Sequence, residues 1–242
     1  MEPRLFHCLI AISSLWSPHG IILDAGCNDG RSSVLLAQHF PNRSVVAMEP
    51  IRLNVHLARA RAMKAFNSSD GARLTVLQGG LGAKVGSATY AATLDHQRIR
   101  NIGGGSGIQT GTAPGYAYQQ NFTARASFDV WTVDALLHSR GQHLSFAHWD
   151  VEGGEVDVLD GARRTIARDQ PMFTLEAFPR SSPQAFVEMA RRVYALGYRM
   201  LEIPESCGAP SDCRNFVCLP SALWGQLASI PDCKGTEAQH FS

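Results

Sequence analysis

The chain carries no excess charge of either sign. Lysine and arginine number 22 against 21 acids, a formal net charge of +1, so nothing supplies the phosphate neutralisation on which nucleic-acid binding rests, and no nucleic-acid partner is expected. Long apolar runs are missing too. Leu5 to Trp16, LFHCLIAISSLW, is too short to span a bilayer and has neither a basic leader nor a small-residue cleavage site. A helix packed on the domain, a cytoplasmic protein and no membrane partner are the expectations. Nor do the 6 cysteines form a metal pattern, because Cys207, Cys213, Cys218 and Cys233 are spaced too widely and irregularly for paired zinc ligands. Cys207 and Cys213 are close enough to bridge a turn in an oxidising compartment, but free thiols in a reducing cytosol are expected. No internal repeat is visible.

What the chain does have is enough apolar sequence for one core: 242 residues, 45% hydrophobic, suit a single α/β domain over 1–242. Within it, 1–20 reads as an N-terminal helical extension, 95–121 as a glycine-rich loop insert and 221–242 as a C-terminal tail. Strand-like and helix-like runs alternate. Ile21–Ala25 is an apolar strand, Arg31–Phe40 a helix, and Val45–Met48 a strand. Pro50 opens a helix with Leu53, Leu57 and Ala60 on one face. Further strands are expected at Leu74–Gln78, Ser145–Trp149 and Met172–Glu176, with a helix from about Glu155 to Ala167 between the last two. Ser182 caps and Pro183 opens a helix that ends at Gly197, and Tyr198–Ile203 with Asn215–Pro220 make an antiparallel hairpin. The fold class is therefore α/β, a doubly wound, mostly parallel sheet with a C-terminal antiparallel hairpin, Rossmann-like and of the class I methyltransferase layout.

In such a sheet the ligand sits outside the carboxyl ends of the strands, where strand order reverses. The turn DAGCNDG, Asp24 to Gly30, falls there. A dinucleotide fingerprint would put glycine where Asn28 stands, and an anionic pyrophosphate gains nothing from Asp24 at the strand's end. The ammonium and sulfonium of S-adenosylmethionine both gain from it. Glu49, ending the second strand, suits ribose hydroxyls of either nucleoside. The plainer alternative is a tight turn that needs glycine only for its backbone angles.

With ILDAGCNDGRSS, VVAMEP, WTVDALL and FAHWDVEGGEVDVLDGA, followed by a strand ending at Glu176, the chain resembles the FkbM-type S-adenosylmethionine-dependent methyltransferases. The resemblance implies S-adenosyl-L-methionine as cofactor, with Asp24, Gly26, Asn28 and Gly30 along its methionine part. Glu49 would meet the ribose, and the adenine would lie near Gln78–Leu81, at Gly79 and Gly80. It further implies O-methylation of a small hydroxylated acceptor. Two positions depart from the family pattern: Cys27 in place of alanine and His148 in place of lysine.

Asp150, at the fourth strand's end beside Asp24, is expected to border both cofactor and acceptor, taking or orienting the hydroxyl proton. His148, two residues earlier on the same side of the strand, is the alternative acceptor, charged only below about pH 6.5. Glu152 is a further catalytic candidate, Glu155 is read as stabilising a helix terminus, and Asp134 is expected to cap the helix after VWTV. Asp150 with Glu176 has the oxygen chemistry of a magnesium site, but Ala177 stands where an amide ligand is usual, and no metal is expected. No N-P-P-aromatic clamp for planar amines follows the fourth strand. A catalytically inactive S-adenosylmethionine-binding protein, suggested by His148, and a NAD-dependent oxidoreductase are the alternatives.

Overall fold

A computed structural model of the chain describes residues 1–66, 73–92, 124–207, 212–227, 230–233 and 235–238. The expected glycine-rich insert, 95–121, lies outside the described residues. Helix α1 (Pro3–Ile12) precedes β1 (Ile21–Ala25), α2 (Arg31–His39), β2 (Val45–Glu49), α3 (Arg52–Ala65) and β3 (Leu74–Gln78). Then come β4 (Gly80–Leu81), β5 (Gly86–Ala92), β6 (Ala124–Trp131), α4 (Val133–His138), β7 (Leu144–Trp149), α5 (Glu155–Gly161) and α6 (Arg163–Asp169). The chain continues through β8 (Met172–Ala177), α7 (Pro183–Ala195), β9 (Tyr198–Ser206), β10 (Arg214–Pro220), α8 (Trp224–Leu227) and β11 (Thr236–Glu237).

The main sheet runs β11-β9-β10-β8-β7-β1-β2-β3. Its strands β3, β2, β1, β7 and β8 are parallel, while β10 enters antiparallel between β8 and β9. Parallel strands covered on both faces must be apolar throughout, and β1, β2 and β7 are buried at every position. One face packs α4 to α7 around Trp149, Phe173 and Phe216; the other packs α1 to α3 around Phe146, Leu36 and Val55. Helix α1 seals the second face with Leu5, Cys8, Leu9 and Ile12. No described helix is long and apolar enough to cross a membrane.

Five expectations are corrected. A second sheet, β4-β6-β5, was not foreseen, because GSATYAA and ARASFDVW are rich in small residues that give little hydrophobic alternation. The helix expected from Glu155 breaks at Gly161, where a side chain would meet the Gly82 carbonyl at 2.1 Å. Asp134 then caps not its own helix but the second piece, accepting from the amides of Arg164 and Thr165 at 3.1 and 2.7 Å. Thr132 caps α4 instead. On α3 the inward face is Asn54, Val55 and Ala58, leaving Leu53 and Leu57 each 43% exposed.

The fifth correction concerns the thiols. Cys8 is bonded to Cys233, and Cys207 to Cys213; only Cys27 and Cys218 are free, both buried. The expectation of free thiols in a reducing cytosol is thus overturned for Cys207 and Cys213. The Cys8–Cys233 bond closes a loop spanning 225 residues of sequence, so its loss releases a large chain entropy on unfolding. Cys233→Ser is expected to cost about 2–5 kcal/mol, read by scanning calorimetry. Thiol titration of the unfolded, unreduced chain should find Cys27 and Cys218 alone; four or more reactive thiols would show that the bridges do not form.

Candidate active site

Strand β1 ends in the turn Gly26–Gly30, which has three left-handed residues: Gly26 and Gly30 at φ 80° and Asn28 at φ 49°. Asparagine tolerates that region better than most side chains. A side chain on Gly26 would stand 1.7 Å from the backbone oxygen of Asp150, so the turn lies directly against the end of β7. The Asp150 amide donates to the Ala25 carbonyl at 3.0 Å. Gly30 is pressed on Ala58 of α3, at 2.8 Å from a side chain built there. Asp29, which sequence reasoning passed over, braces the turn through Arg61 at 2.7 Å.

Two buried carboxylates hold this turn. Asp24 is fully buried, 0% exposed; Ser33 on α2 donates to its Oδ2, and Oδ1 has no partner. Burial raises its pKa to about 6, offset by the Ser33 hydroxyl. Glu49 is 4% exposed. Its Oε2 accepts from the Asn28 amide at 2.9 Å, and its Oε1 from the Ile51 amide at 2.9 Å and Asn54 Nδ2 at 3.4 Å. Burial pushes its pKa up. A carboxylate has about four acceptor positions, so Glu49 keeps one unused. Gly79 and Gly80 lie where the chain leaves the main sheet for the second one: Gly79 is at φ 151°, and a side chain on Gly80 would strike the Phe128 ring at 2.7 Å.

Around the end of β7 the groups are again acidic. Asp150 lies beside Glu176 at the end of β8, and its Oδ1 is buried with no partner. Burial raises its pKa. Glu152 is exposed at φ 54°, in a turn with Gly153 at φ 93°. Carboxylate oxygens of Asp150, Glu152 and Glu176 lie within 4.8 Å of one another. A second group of that kind joins Glu176 to Cys207 and Cys213, whose sulfurs are spent on their disulfide.

His148 is not in this cluster. It is 5% exposed, with Nδ1 2.7 Å from Thr174 Oγ1 on the neighbouring strand. Burial lowers its pKa to about 3. It therefore stays neutral at ordinary pH, contrary to the expectation that it gains charge below about pH 6.5. The Cys27 thiol is buried and pushed far up by burial, which leaves a small apolar filler rather than a nucleophile. A separate groove of about 340 Å³ between α5 and α7 is lined by Asp160, Arg163, Glu188 and Arg192. Those charges pair with one another, and the groove lies away from the strand ends.

The Methyltransferase FkbM domain family matches residues 24–200, most of the chain and every residue of the turn and the acidic cluster. The chain belongs to the FkbM methyltransferase family. Among solved structures it is similar to the methyltransferase FkbM from Methylobacillus flagellatus KT, at 18% identity and a TM-score of 0.56, over 82% of this chain and 43% of that one. The chain thus spans less than half the length of that relative. A more distant likeness is to magnesium protoporphyrin IX methyltransferase from Synechocystis PCC 6803, crystallised with bound S-adenosylmethionine, at 11% identity and a TM-score of 0.47, over 90% and 79% of the two chains. At 18% identity the first likeness speaks for the fold alone. No curated protein matches the sequence. Its fold is the class I, Rossmann-like one of that family.

The residues present fit a cationic cofactor. The unpartnered Oδ1 of buried Asp24 calls for a donor, and an ammonium supplies one. Glu155 offers a test of how strongly this end of the sheet disfavours negative charge. It is 6% exposed, accepts from the Gly153 amide at 3.2 Å, and has its pKa raised to about 7 by burial first, with Asp150 and Glu152 adding to it. Raised above its ordinary 4.5, the neutral group contributes stability that is full below about pH 4.5 and lost as pH rises through about 7. Glu155→Gln keeps the acceptor oxygen and cannot ionise. Its melting temperature at pH 8 is expected to exceed that of the unsubstituted chain by about 5–10 °C, with no difference near pH 4.5. Equal differences at both pH values would show that Glu155 does not titrate.

Proposed function

We propose that this chain binds S-adenosylmethionine at the β1 and β2 strand ends and methylates a hydroxyl oxygen of a small molecule. The observation that carries the reading is the buried, unpartnered Oδ1 of Asp150, a carboxylate made more basic by burial, on a residue whose backbone packs against the Gly26 turn. A hydroxyl acceptor needs its proton removed as its oxygen is methylated, and a positioned carboxylate of raised pKa serves that end. Asp24 would receive the ammonium of the cofactor, with the Gly26, Asn28 and Gly30 backbone beside it. Glu49 would use its remaining acceptor position for a ribose hydroxyl, and Gly79 with Gly80 would flank the adenine. When bound, the cofactor supplies an electrophilic methyl group on a sulfonium.

The acceptor reading rests on chemistry rather than shape. No sequence feature for planar amines is present, and the acidic surroundings of Asp150 suit a neutral or cationic hydroxylated molecule better than an anionic one. Neutral His148 cannot provide the positive charge of the lysine it replaces. That favours the second reading, a chain that keeps the cofactor site without transferring methyl groups. The two disulfides favour an oxidising compartment over the cytosol.

Calorimetric titration with S-adenosylmethionine, S-adenosylhomocysteine and NADH tests the cofactor. Binding of the first two is expected, and binding of NADH alone would reject the proposal. Glu49→Ala removes the acceptor of the Asn28 and Ile51 amides as well as the ribose contact, and should weaken cofactor binding by about 1.5–3 kcal/mol. An unchanged dissociation constant would exclude Glu49 from the site.

Turnover is tested on a panel of hydroxylated metabolites. Asp150→Asn should retain cofactor affinity and lose about 10²–10⁴-fold in turnover. Full activity would remove Asp150 from proton transfer, and no turnover by the unsubstituted chain on any acceptor would favour the non-catalytic reading.

A further inference from the structure

Asn54 is an amide on the buried face of α3. It stands in the first turn of that helix, beside Val55 and one turn before Ala58, and is 1% exposed. Its Nδ2 donates to Glu49 Oε1 at 3.4 Å, while its own Oδ1 is buried with no partner. Turned the other way, the amide would set an oxygen against the carboxylate, so Glu49 fixes which way Asn54 faces. A buried acceptor left without a donor costs stability, and an apolar side chain would carry no such cost. What Asn54 gives the chain is therefore its bond to Glu49.

That bond decides what Glu49 has left to offer. Each carboxylate oxygen accepts about two hydrogen bonds. Oε1 already takes the Ile51 amide at 2.9 Å and Asn54 Nδ2, which fill it. Oε2 takes the Asn28 amide at 2.9 Å, and the remaining position is on this oxygen. The three donors come from the turn after β1, the link after β2 and α3 itself, and together they hold the carboxylate against rotation. A carboxylate that grips two neighbouring hydroxyls uses one oxygen for each; here a single oxygen has room.

We propose that Asn54 is a positioning residue that sets the specificity of Glu49: by occupying Oε1 it confines the recognition of the ribose to one hydroxyl, received at Oε2. This rests on the reading of Glu49 as the ribose contact. The other hydroxyl of the pair is then not read by Glu49, and a nucleoside that lacks it keeps the whole of that contact.

Calorimetric titration with S-adenosylhomocysteine and its 2′-deoxy and 3′-deoxy analogues tests this without any acceptor. Each titration is repeated on Glu49→Ala, so that only the part of each loss that depends on Glu49 is counted. In the unsubstituted chain, one analogue is expected to lose about 10–100-fold in affinity through Glu49, and the other no more than about twofold. In Asn54→Ala, Oε1 has a vacant position and the carboxylate is free to turn, so the gap between the analogues should shrink to about threefold or less. Asn54→Leu, close in volume and unable to donate, should give the same narrowed gap if the alanine variant fails to fold.

Equal losses of both analogues through Glu49 would mean that the carboxylate grips both hydroxyls; the proposal then falls and the ribose reading stands. Losses that do not depend on Glu49 at all would remove the ribose reading and the proposal with it. If the Asn54 variants weaken all three ligands by one common factor and leave the gap as it was, Asn54 only supports the fold, and the proposal is overturned.

Discussion

The space where Gly26 has no side chain is occupied by the backbone oxygen of Asp150, and the candidate site depends on that contact. It brings the first turn and the end of β7 within touching distance, as the parallel pairing of Asp24 with His148 and Ala25 with Trp149 requires. Any other residue at 26 would push the two strand ends apart and separate the Gly26–Gly30 turn from Asp150. Glu49 then fixes the turn from the other flank, its two oxygens taking the amides of Asn28 and Ile51. The helix α3 begins where that carboxylate ends.

The strand ends gather Asp24, Glu49, Asp150, Glu152, Glu155 and Glu176 with no cation of comparable weight among the described groups. Each of these pKa values that is shifted moves upward, with burial the largest cause. A site of this kind stores repulsion that a bound cation relieves. In the proposed function, the acidity that destabilises these strand ends at neutral pH becomes affinity for a sulfonium and an ammonium. His148 fits this logic by staying out of it: held neutral beside Thr174, it neither relieves nor adds to the repulsion.

Most of the main sheet was legible because its strands are short apolar runs bounded by turn residues. Leu74–Gln78 was read to the residue, and β1, β2, β7 and β8 to within one. The small-residue strands β5 and β6 were not legible, since alanine and serine carry no burial signal. Helix α3 was found but turned the wrong way. Leu53 and Leu57 look like its core face, yet Asn54 must point at Glu49 and only a residue as small as Ala58 fits against Gly30. Contacts across the fold outrank the hydrophobicity of the helix itself. At the site, Asp24, Glu49 and Asp150 stood out as acids at strand ends. That Glu176 lies beside Asp150, and Cys8 beside Cys233, needed the fold, which brings together residues far apart in sequence.

That bond between α1 and the segment before β11 turns the backbone, from residue 8 to residue 233, into a covalent ring. A linear chain cut once becomes two molecules; a ring cut once remains one. A single proteolytic nick at any surface loop inside the ring would leave the fragments joined, and the mass under non-reducing conditions would rise by one water. The fold can therefore tolerate a broken loop without losing the entropy advantage of connected halves. Its resistance to degradation is set by the second cut rather than the first.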